Sequence, residues 1–492
     1  MEFRKGEGYM AWFERALLRT VLGGVVVMSL IAQGCAPVGP QYTAPENKVP
    51  ERWHAQETGP FEAANLSEAV LAQWWKTFDD PILTEVESRV LQANRDLKVA
   101  VARVREARAV LGTQRADLFP SLNAAGQALR QRTSAHGTAS RAMETGFYRA
   151  GFDAGWELDL FGGTRRAVEA ALADWEAAQA AHDAVRASLM AEAALAYVEL
   201  RTFQERLDLT RRNIAVQEET YELNLSRYEA GLIDELPVQQ SLYNLEHTRA
   251  AVAPLEAGLE AAKNRLAVLA GKEPGTLEKV LGESRPIPSV PPRVAVGIPA
   301  EALRNRPDIR LAERNLAAAT ARIGQASAEL YPKFRLVGTI GLESLRAPDL
   351  LEWASRFWTI GPAVQWRLFD AGKIRQTIEV RTAQQEQALL RYESTLLNAL
   401  EEVENTLVAF AKEQRRLEQL NKAVEAAQKA AFRAGDRYQA GLVDFTDVLD
   451  AQRTLQNFQD ERAQSRGAVT ANLIRLYKAL GGGWQPSTSA NP

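Results

Sequence analysis

The sequence repeats itself at a near-constant interval. Leu118-Phe119-Pro120 recurs as Leu330-Tyr331-Pro332, and Trp156-Glu157-Leu158 recurs as Trp366-Arg367-Leu368. Arg227-Tyr228-Glu229-Ala230-Gly231-Leu232 recurs as Arg437-Tyr438-Gln439-Ala440-Gly441-Leu442. Pro120 and Pro332 are 212 positions apart, Trp156 and Trp366 are 210 apart, and Arg227 and Arg437 are 210 apart. A shared order at one offset means duplication of a unit rather than biased composition. The unit reads helix, strand pair, long helix, return helix. A strand pair is too little to close a sheet, so the repeat implies cooperation between chains.

Two tracts dominate each copy. Residues 165–229 and 373–434 contain neither Pro nor Gly and are dense in Ala, Glu, Gln, Arg and Leu. The first would extend roughly 95 Å as helix. Helices of that length pack as coiled coils rather than inside a globular core. Gly231 and Gly441 end them, and return helices run to about Gly271 and Gly481. A shorter helix precedes each strand pair. One starts at Asp80-Pro81, an N-cap acceptor with Pro at the first helical position, and runs to about Ala116. Its counterpart runs from Pro307-Asp308 to about Leu330.

Between the helices, four segments alternate with period two. In 146–160, Tyr148, Ala150, Phe152, Ala154, Trp156, Leu158 and Leu160 share one face, with Arg149, Asp153, Glu157 and Asp159 on the other. In 357–368, Trp358, Ile360, Val364, Trp366 and Leu368 oppose Thr359, Gln365 and Arg367. Segments 121–129 and 334–342 are weaker versions, the latter setting Phe334, Leu336, Ile340 and Leu342 against Arg335 and Thr339. Such strands have one apolar and one wet face. A soluble sheet packed on helices satisfies the pattern, and so does a lipid-facing barrel with a wet lumen. Four strands cannot close a membrane barrel, whose minimum is about eight. Two chains would supply eight strands and three would supply twelve, and twelve leave room for a passage.

The ends point to export. Arg4, Lys5, Arg15 and Arg19 precede an apolar run from Val21 to Ile31, then Gly34 and Cys35. This reads as a secretory signal, too short to span a bilayer comfortably. Cys35 is the only cysteine, so no intrachain disulfide can form, and its place after the signal makes it an acylation site. A plain signal peptide with an incidental cysteine is the alternative. The positions that usually carry Leu and a small residue hold Ala32 and Gln33. Ala36 stands where an Asp would argue for inner-membrane retention. Removing the signal takes the formal charge from −3 to −4, which gives no support for nucleic-acid binding. No later stretch has the uninterrupted apolar length of a transmembrane helix, so any membrane entry is as a barrel.

These residues, in order, resemble the TolC-like outer-membrane channels, specifically the NodT/OprM-type outer-membrane lipoproteins of resistance-nodulation-division efflux systems. The resemblance spans the mature chain. It rests on Cys35 with Gly39-Pro40-Gln41-Tyr42 and Pro45; Trp74-Trp75 with Phe78, Asp80-Pro81 and Leu83; and Asn94 with Asp96-Leu97. Arg306-Pro307-Asp308-Ile309 with Glu313 belongs to it, as does Ala440-Gly441-Leu442 leading to Asp447-Val448-Leu449-Asp450-Ala451-Gln452. It implies an internally duplicated α+β membrane protein, a homotrimer with a twelve-stranded transmembrane β-barrel, four strands per chain. Long coiled-coil hairpins would form a periplasmic α-helical tunnel girdled by a mixed equatorial domain. The expected division is a signal in 1–34, an extended and equatorial segment in 35–79, and a first repeat in 80–281. That repeat has its strand pair in 121–160 and its hairpin in 165–271. A Pro-rich linker in 282–304 precedes a second repeat in 305–481, with strand pair 333–369 and hairpin 373–481, and a tail occupies 482–492.

The implied role is the outer-membrane outlet of a tripartite efflux system, passive and gated at the periplasmic helical tip. A periplasmic adaptor, an inner-membrane pump and outer-membrane lipid are the implied partners, with no nucleic acid. The outlet of a type I protein secretion system is an alternative, and a periplasmic coiled-coil adaptor another, though an adaptor has no use for Trp-bearing amphipathic strands. By the resemblance, Asp447 and Asp450 are the constriction carboxylates. They lie three apart and therefore on one helical face, where three chains would gather six acids and favour cations. On the residues alone they are equally helix-start acids near a positive helix end. Tyr438 matches a tyrosine that latches the closed tip. The position of its usual basic partner holds Val443, leaving Arg437 or Arg227 as replacement. The first copy has Pro237 and Gln240 in place of the two acids, so the gate should be asymmetric. Gly231, Leu232, Gly441 and Leu442 match the turns that meet the adaptor, and Tyr148, Phe152, Trp156, Trp358 and Trp366 would face the membrane. No enzyme, cofactor or metal is expected: His54, His136, His182 and His247 are scattered, and no phosphate loop or nucleophile elbow is present.

Overall fold

The computed structural model describes residues 37–46, 49–55, 61–62, 67–136, 141–291, 294–297 and 299–485. The signal segment 1–34 and Cys35 lie outside them. The chain divides into two compact units. One comprises residues 105–177 and 313–391 with the segment preceding Glu46, and the other comprises 46–104, 178–312 and 392–492.

The first unit contains a four-stranded antiparallel sheet: β1 (Ser121–Arg132), β2 (Glu144–Leu158), β3 (Lys333–Ser344) and β4 (Arg356–Gln365), in the order β1-β2-β3-β4. Each strand pair comes from one copy, and β2 joins β3 across the copies, with Phe152 opposite Ile340 and Trp156 opposite Leu336. The ladder stops short of the sequence reading at two points: β2 ends at Leu158, before Asp159 and Leu160, and β4 ends at Gln365. Trp366 and Leu368, expected on a strand, follow the last paired residue, Gln365.

Two ties fix where helix gives way to strand. The Trp156 indole Nε1 donates to the Leu118 carbonyl at 2.9 Å, and the Trp366 Nε1 donates to the Leu330 carbonyl at 3.0 Å. Two of the repeated tripeptides are therefore each other's partners in both copies. The N-terminal segment joins the same unit: a Cβ at Gly39, whose φ is 90°, would overlap Gly324, and the Tyr42 hydroxyl donates to Glu313 Oε1 at 3.0 Å.

The longer helices are α1 (Pro81–Ala93), α2 (Arg95–Ala116), α3 (Gly163–Glu229), α4 (Glu235–Ala250), α5 (Val252–Leu269), α6 (Pro307–Ala328), α7 (Lys373–Gln439) and α8 (Phe445–Ala479). α3 and α7 each hold 67 residues, roughly 100 Å of helix. The helix expected to run unbroken from Pro81 to Ala116 is split at Asn94, whose ψ of 135° is not helical. Asn94 Oδ1 accepts from Leu97 N at 3.0 Å and Nδ2 donates to the Leu269 carbonyl at 2.9 Å, so it caps the second piece while gripping the end of α5. The first return helix is broken at Ala251 because Pro254 has no N–H for the Ala250 carbonyl.

The second unit is centred on a core in which Trp74 is fully buried, stacked on Tyr477 at 5.8 Å and edge-on to Trp75 and Phe78. Asp80 caps α1, accepting from Ile82 N and Leu83 N, and its other oxygen accepts from the Tyr197 hydroxyl at 2.8 Å. The Pro-rich linker contributes Val294–Ala295 as a two-residue parallel partner of Phe61–Glu62, then a short helix, Pro299–Arg304.

Candidate functional site

The alternation sorts most side chains of the sheet, with Arg356 an exception on the even-numbered face and Phe357, its ring 4.4 Å from the Arg149 guanidinium, an exception on the odd. Across the odd-numbered face, Arg149 lies 3.9 Å from Glu343, Arg335 lies 3.8 Å from Glu157, and the Thr339 hydroxyl donates to Asp153 at 2.8 Å. The even-numbered face is apolar and uncovered: Phe152 is 52% exposed, Ile340 63% and Trp358 72%. Contiguous apolar surface on this scale marks an interaction or membrane face. A sheet packed on helices would have buried it, so the soluble alternative fails. Trp156 is partly exposed on this face and Tyr148 is half-buried. Both edges, β1 and β4, lack a strand partner among the described residues. In hydrocarbon an open edge leaves backbone donors and acceptors unsatisfied, so only a closed sheet is viable there. No helix among the described residues is long and apolar enough to cross a membrane.

At the far ends of α3 and α7 the turns are built identically. Gly231 and Gly441 take φ of 70° and 71°, left-handed values that glycine adopts without strain. Leu232 N donates to the Arg227 carbonyl and Gly231 N to Tyr228, and Leu442 N donates to Arg437 and Gly441 N to Tyr438. This pattern satisfies the last carbonyls of each helix. Leu232 and Leu442 are 71% and 67% exposed beside them.

The side chains around the turns differ. Phe445, Val448 and Leu449 bury one face of α8 against Tyr438 and Ala434. Asp447 and Asp450 stand on the exposed side, and neither carboxylate has a partner among the described residues. Tyr438 is half-buried, its ring 5.2 Å from that of Phe445. Its hydroxyl donates to Asn224 Oδ1 at 3.1 Å, and the Arg227 guanidinium lies 5.5 Å from its ring centroid. Burial pushes the Tyr438 phenol up, partly offset by Arg227. Of the two arginines considered for Tyr438, Arg227 is the one stacked on its ring. Arg227 also donates to the Gln439 carbonyl at 3.4 Å. The two hairpins are thereby linked within one chain.

Asn224, fully buried, escaped the sequence reading. Its signal was a mismatch between copies, because the position 210 later is Ala434. Glu343 was missed because it lies beyond the segment read as strand. The described residues contain no group of His, Cys, Asp and Glu arranged to hold a metal ion.

A four-stranded sheet with open edges, a wet face and an uncovered apolar face, continued by helices of roughly 100 Å, defines a channel-forming outer-membrane fold. Residues 86–272 and 298–482 match the family of outer membrane efflux proteins, one match per copy, and the chain belongs to that family. It is 31% identical over 470 residues to nodulation protein T of Rhizobium leguminosarum bv. trifolii, covering 94% of this chain and 97% of that one. It is 32% identical over 471 residues to the antibiotic efflux pump outer membrane protein ArpC of Pseudomonas putida, covering 94% and 96%. The structure superposes on the outer-membrane channel OprN with a TM-score of 0.87, at 36% identity, covering 92% of this chain and all of that one. The chain is therefore an outer-membrane channel component of tripartite efflux, located in the outer membrane. Its family is one of transport components rather than enzymes, whose channels are trimeric and work with adaptor and pump components.

Proposed function

We propose that three copies of this chain close their β1 and β4 edges into a twelve-stranded barrel that passively conducts small organic molecules delivered by an adaptor and an inner-membrane pump. The observation that carries this reading is the sheet with two unpaired edges and an uncovered apolar face. Tyr148, Phe152, Trp156, Trp358 and Trp366 face lipid, and the ladder from Arg149 to Arg335 lines the lumen. Asp447 and Asp450 form the periplasmic constriction, and Tyr438, held by Asn224 and Arg227, keeps the tip closed. Gly231, Leu232, Gly441 and Leu442 meet the adaptor, and an acyl chain on Cys35 tethers the N-terminus. The antibiotic efflux relative favours small-molecule cargo over secreted protein.

The test is purification from outer membranes followed by planar-bilayer recording. A trimer on unheated gels that dissociates on heating, with cation-preferring pores of small conductance, is the expected result. Monomeric, pore-free protein in the soluble or inner-membrane fraction would overturn the reading.

A further inference from the structure

The even-numbered face of the sheet is not evenly filled. Ala124 and Ala150 are small where Phe152, Ile340, Leu342 and Trp358 are large, and between them lies a cleft of ≈ 880 Å³. Small-molecule sites typically occupy roughly 300–1,000 Å³. Methyl groups and backbone make its floor, and hydrocarbon with one indole makes its walls.

One charged group borders it. Arg356 stands at the rim on the side of the hairpin loops, in register with Leu342 and Ala150. Its Nε donates to the Trp353 carbonyl at 2.6 Å, and its guanidinium lies over the Trp353 ring at 3.0 Å. These contacts occupy Nε and one face of the plane and leave both Nη groups as donors. No carboxylate among the described residues pairs with Arg356. A cation beside hydrocarbon requires an anion or an interface to lower its cost, and guanidinium suits phosphate through paired donors.

We propose that this cleft binds a phosphorylated, acylated lipid of the surrounding membrane. An acyl chain lies over Ala124 and Ala150, flanked by Phe152 and Leu342, and the lipid phosphate accepts from the Arg356 Nη groups. The proposal rests on the reading of this face as the membrane wall with the hairpin loops outermost. It makes the lipid a bound component of the channel rather than bulk solvent. Trp353 acts as a positioning residue that holds the guanidinium at the rim.

The experiment titrates the detergent-solubilised full-length trimer with a bis-phosphorylated, hexa-acylated glycolipid, with its dephosphorylated form, and with inorganic phosphate. Binding is read by native mass spectrometry. Wild type should bind the phosphorylated lipid at least tenfold more tightly than the dephosphorylated one, with inorganic phosphate neither binding nor competing. Arg356→Gln should abolish that preference and Arg356→Lys should retain part of it. Ala150→Leu, which fills the cleft, should weaken both lipids; Ala124→Leu serves should that variant fail to give a trimer on unheated gels. Equal binding of the two lipids, or an unchanged Arg356→Gln, overturns the phosphate contact. Unchanged binding in the leucine variant overturns the cleft, and competition by inorganic phosphate reduces the site to a free-anion site and overturns the lipid assignment. Failure of wild type to form trimers and pores would instead count against the channel reading, which separates the two outcomes.

Discussion

The two copies make the same joint with different chemistry. In the first, Asn94, immediately before α2, donates through its amide to the Leu269 carbonyl at the end of α5. In the second, Arg306, immediately before α6, donates to the Ala479 carbonyl at 2.8 Å at the end of α8. The two residues are 212 positions apart and the two carbonyls 210. Even the close approach is shared: a Cβ on Gly271 would lie 2.5 Å from the Ala93 carbonyl oxygen, and one on Gly481 would lie 2.7 Å from that of Asn305. The amide is neutral and self-sufficient. The guanidinium is buried and also binds Asp308 at 2.8 Å and Glu402 at 2.7 Å. Duplication preserved the geometry of the joint, while the second copy drew α7 into it through Glu402.

The largest expected effect follows from that contrast. Arg306→Ala orphans the Ala479 carbonyl and removes charge-assisted bonds to Asp308 and Glu402, whose carboxylates are more than a third exposed, so it should destabilise by about 2–3 kcal/mol. Asn94→Ala should cost about 1–3 kcal/mol. The dissociation temperature of the detergent-solubilised trimer should fall further for the arginine variant. Equal shifts would show that the charge adds nothing to the joint.

A second contrast lies at the turns, where Asp447 and Asp450 correspond to Pro237 and Gln240 of the other copy, 210 positions earlier. Asp447→Ala with Asp450→Ala should raise single-channel conductance several-fold and lower cation preference. Pro237→Ala with Gln240→Ala should change neither. If both pairs behaved alike in bilayers, the gate would be symmetric and these acids would be ordinary helix-start residues.

A third contrast is a difference in pH response. Glu87 on α1 is fully buried with both carboxylate oxygens unpartnered, and burial pushes its pKa well above the ordinary 4.5. The position 212 later is Pro299, which does not titrate. Because the folded state holds the proton more tightly than the unfolded chain, its contribution is fully present below about 4.5 and is lost as pH rises toward the elevated folded value. Glu87→Gln should therefore flatten the fall in trimer stability between acid and neutral pH and raise stability at neutral pH. A melting profile across pH that matches wild type would remove Glu87 as its source.

The smallest effect concerns the repeated tyrosines. Tyr438→Phe deletes the hydrogen bond to Asn224, worth about 1 kcal/mol, and should raise the frequency of open-tip events in bilayer recordings. Tyr228→Phe, 210 positions earlier and 43% exposed, should not. Identical gating in the two variants would assign the latch elsewhere.

Much of this comparison was legible from residue order. Breaker-free tracts fixed the long helices because Gly and Pro are the main local interruptions, and period-two alternation fixed the two faces of the sheet. The split at Asn94 was not legible, since Asn interrupts a helix only when its side chain finds partners, here Leu97 N and the distant Leu269 carbonyl. The break before Pro254 could have been read, because a proline four residues on removes that hydrogen bond. The Tyr438–Asn224 contact spans 214 positions, and nothing local announces it.

The two indole ties bear on how the molecule is put together. Each fixes a helix-to-strand crossover from within the chain, and a slip of one residue would turn every apolar strand residue to the wrong face. A chain can thus set the register within each strand pair, β1 with β2 and β3 with β4, before meeting a neighbour. Oligomerisation is then a matter of matching edges, Ser121–Arg132 of one copy against Arg356–Gln365 of the next, and a register mistake inside one subunit need not be corrected by the others.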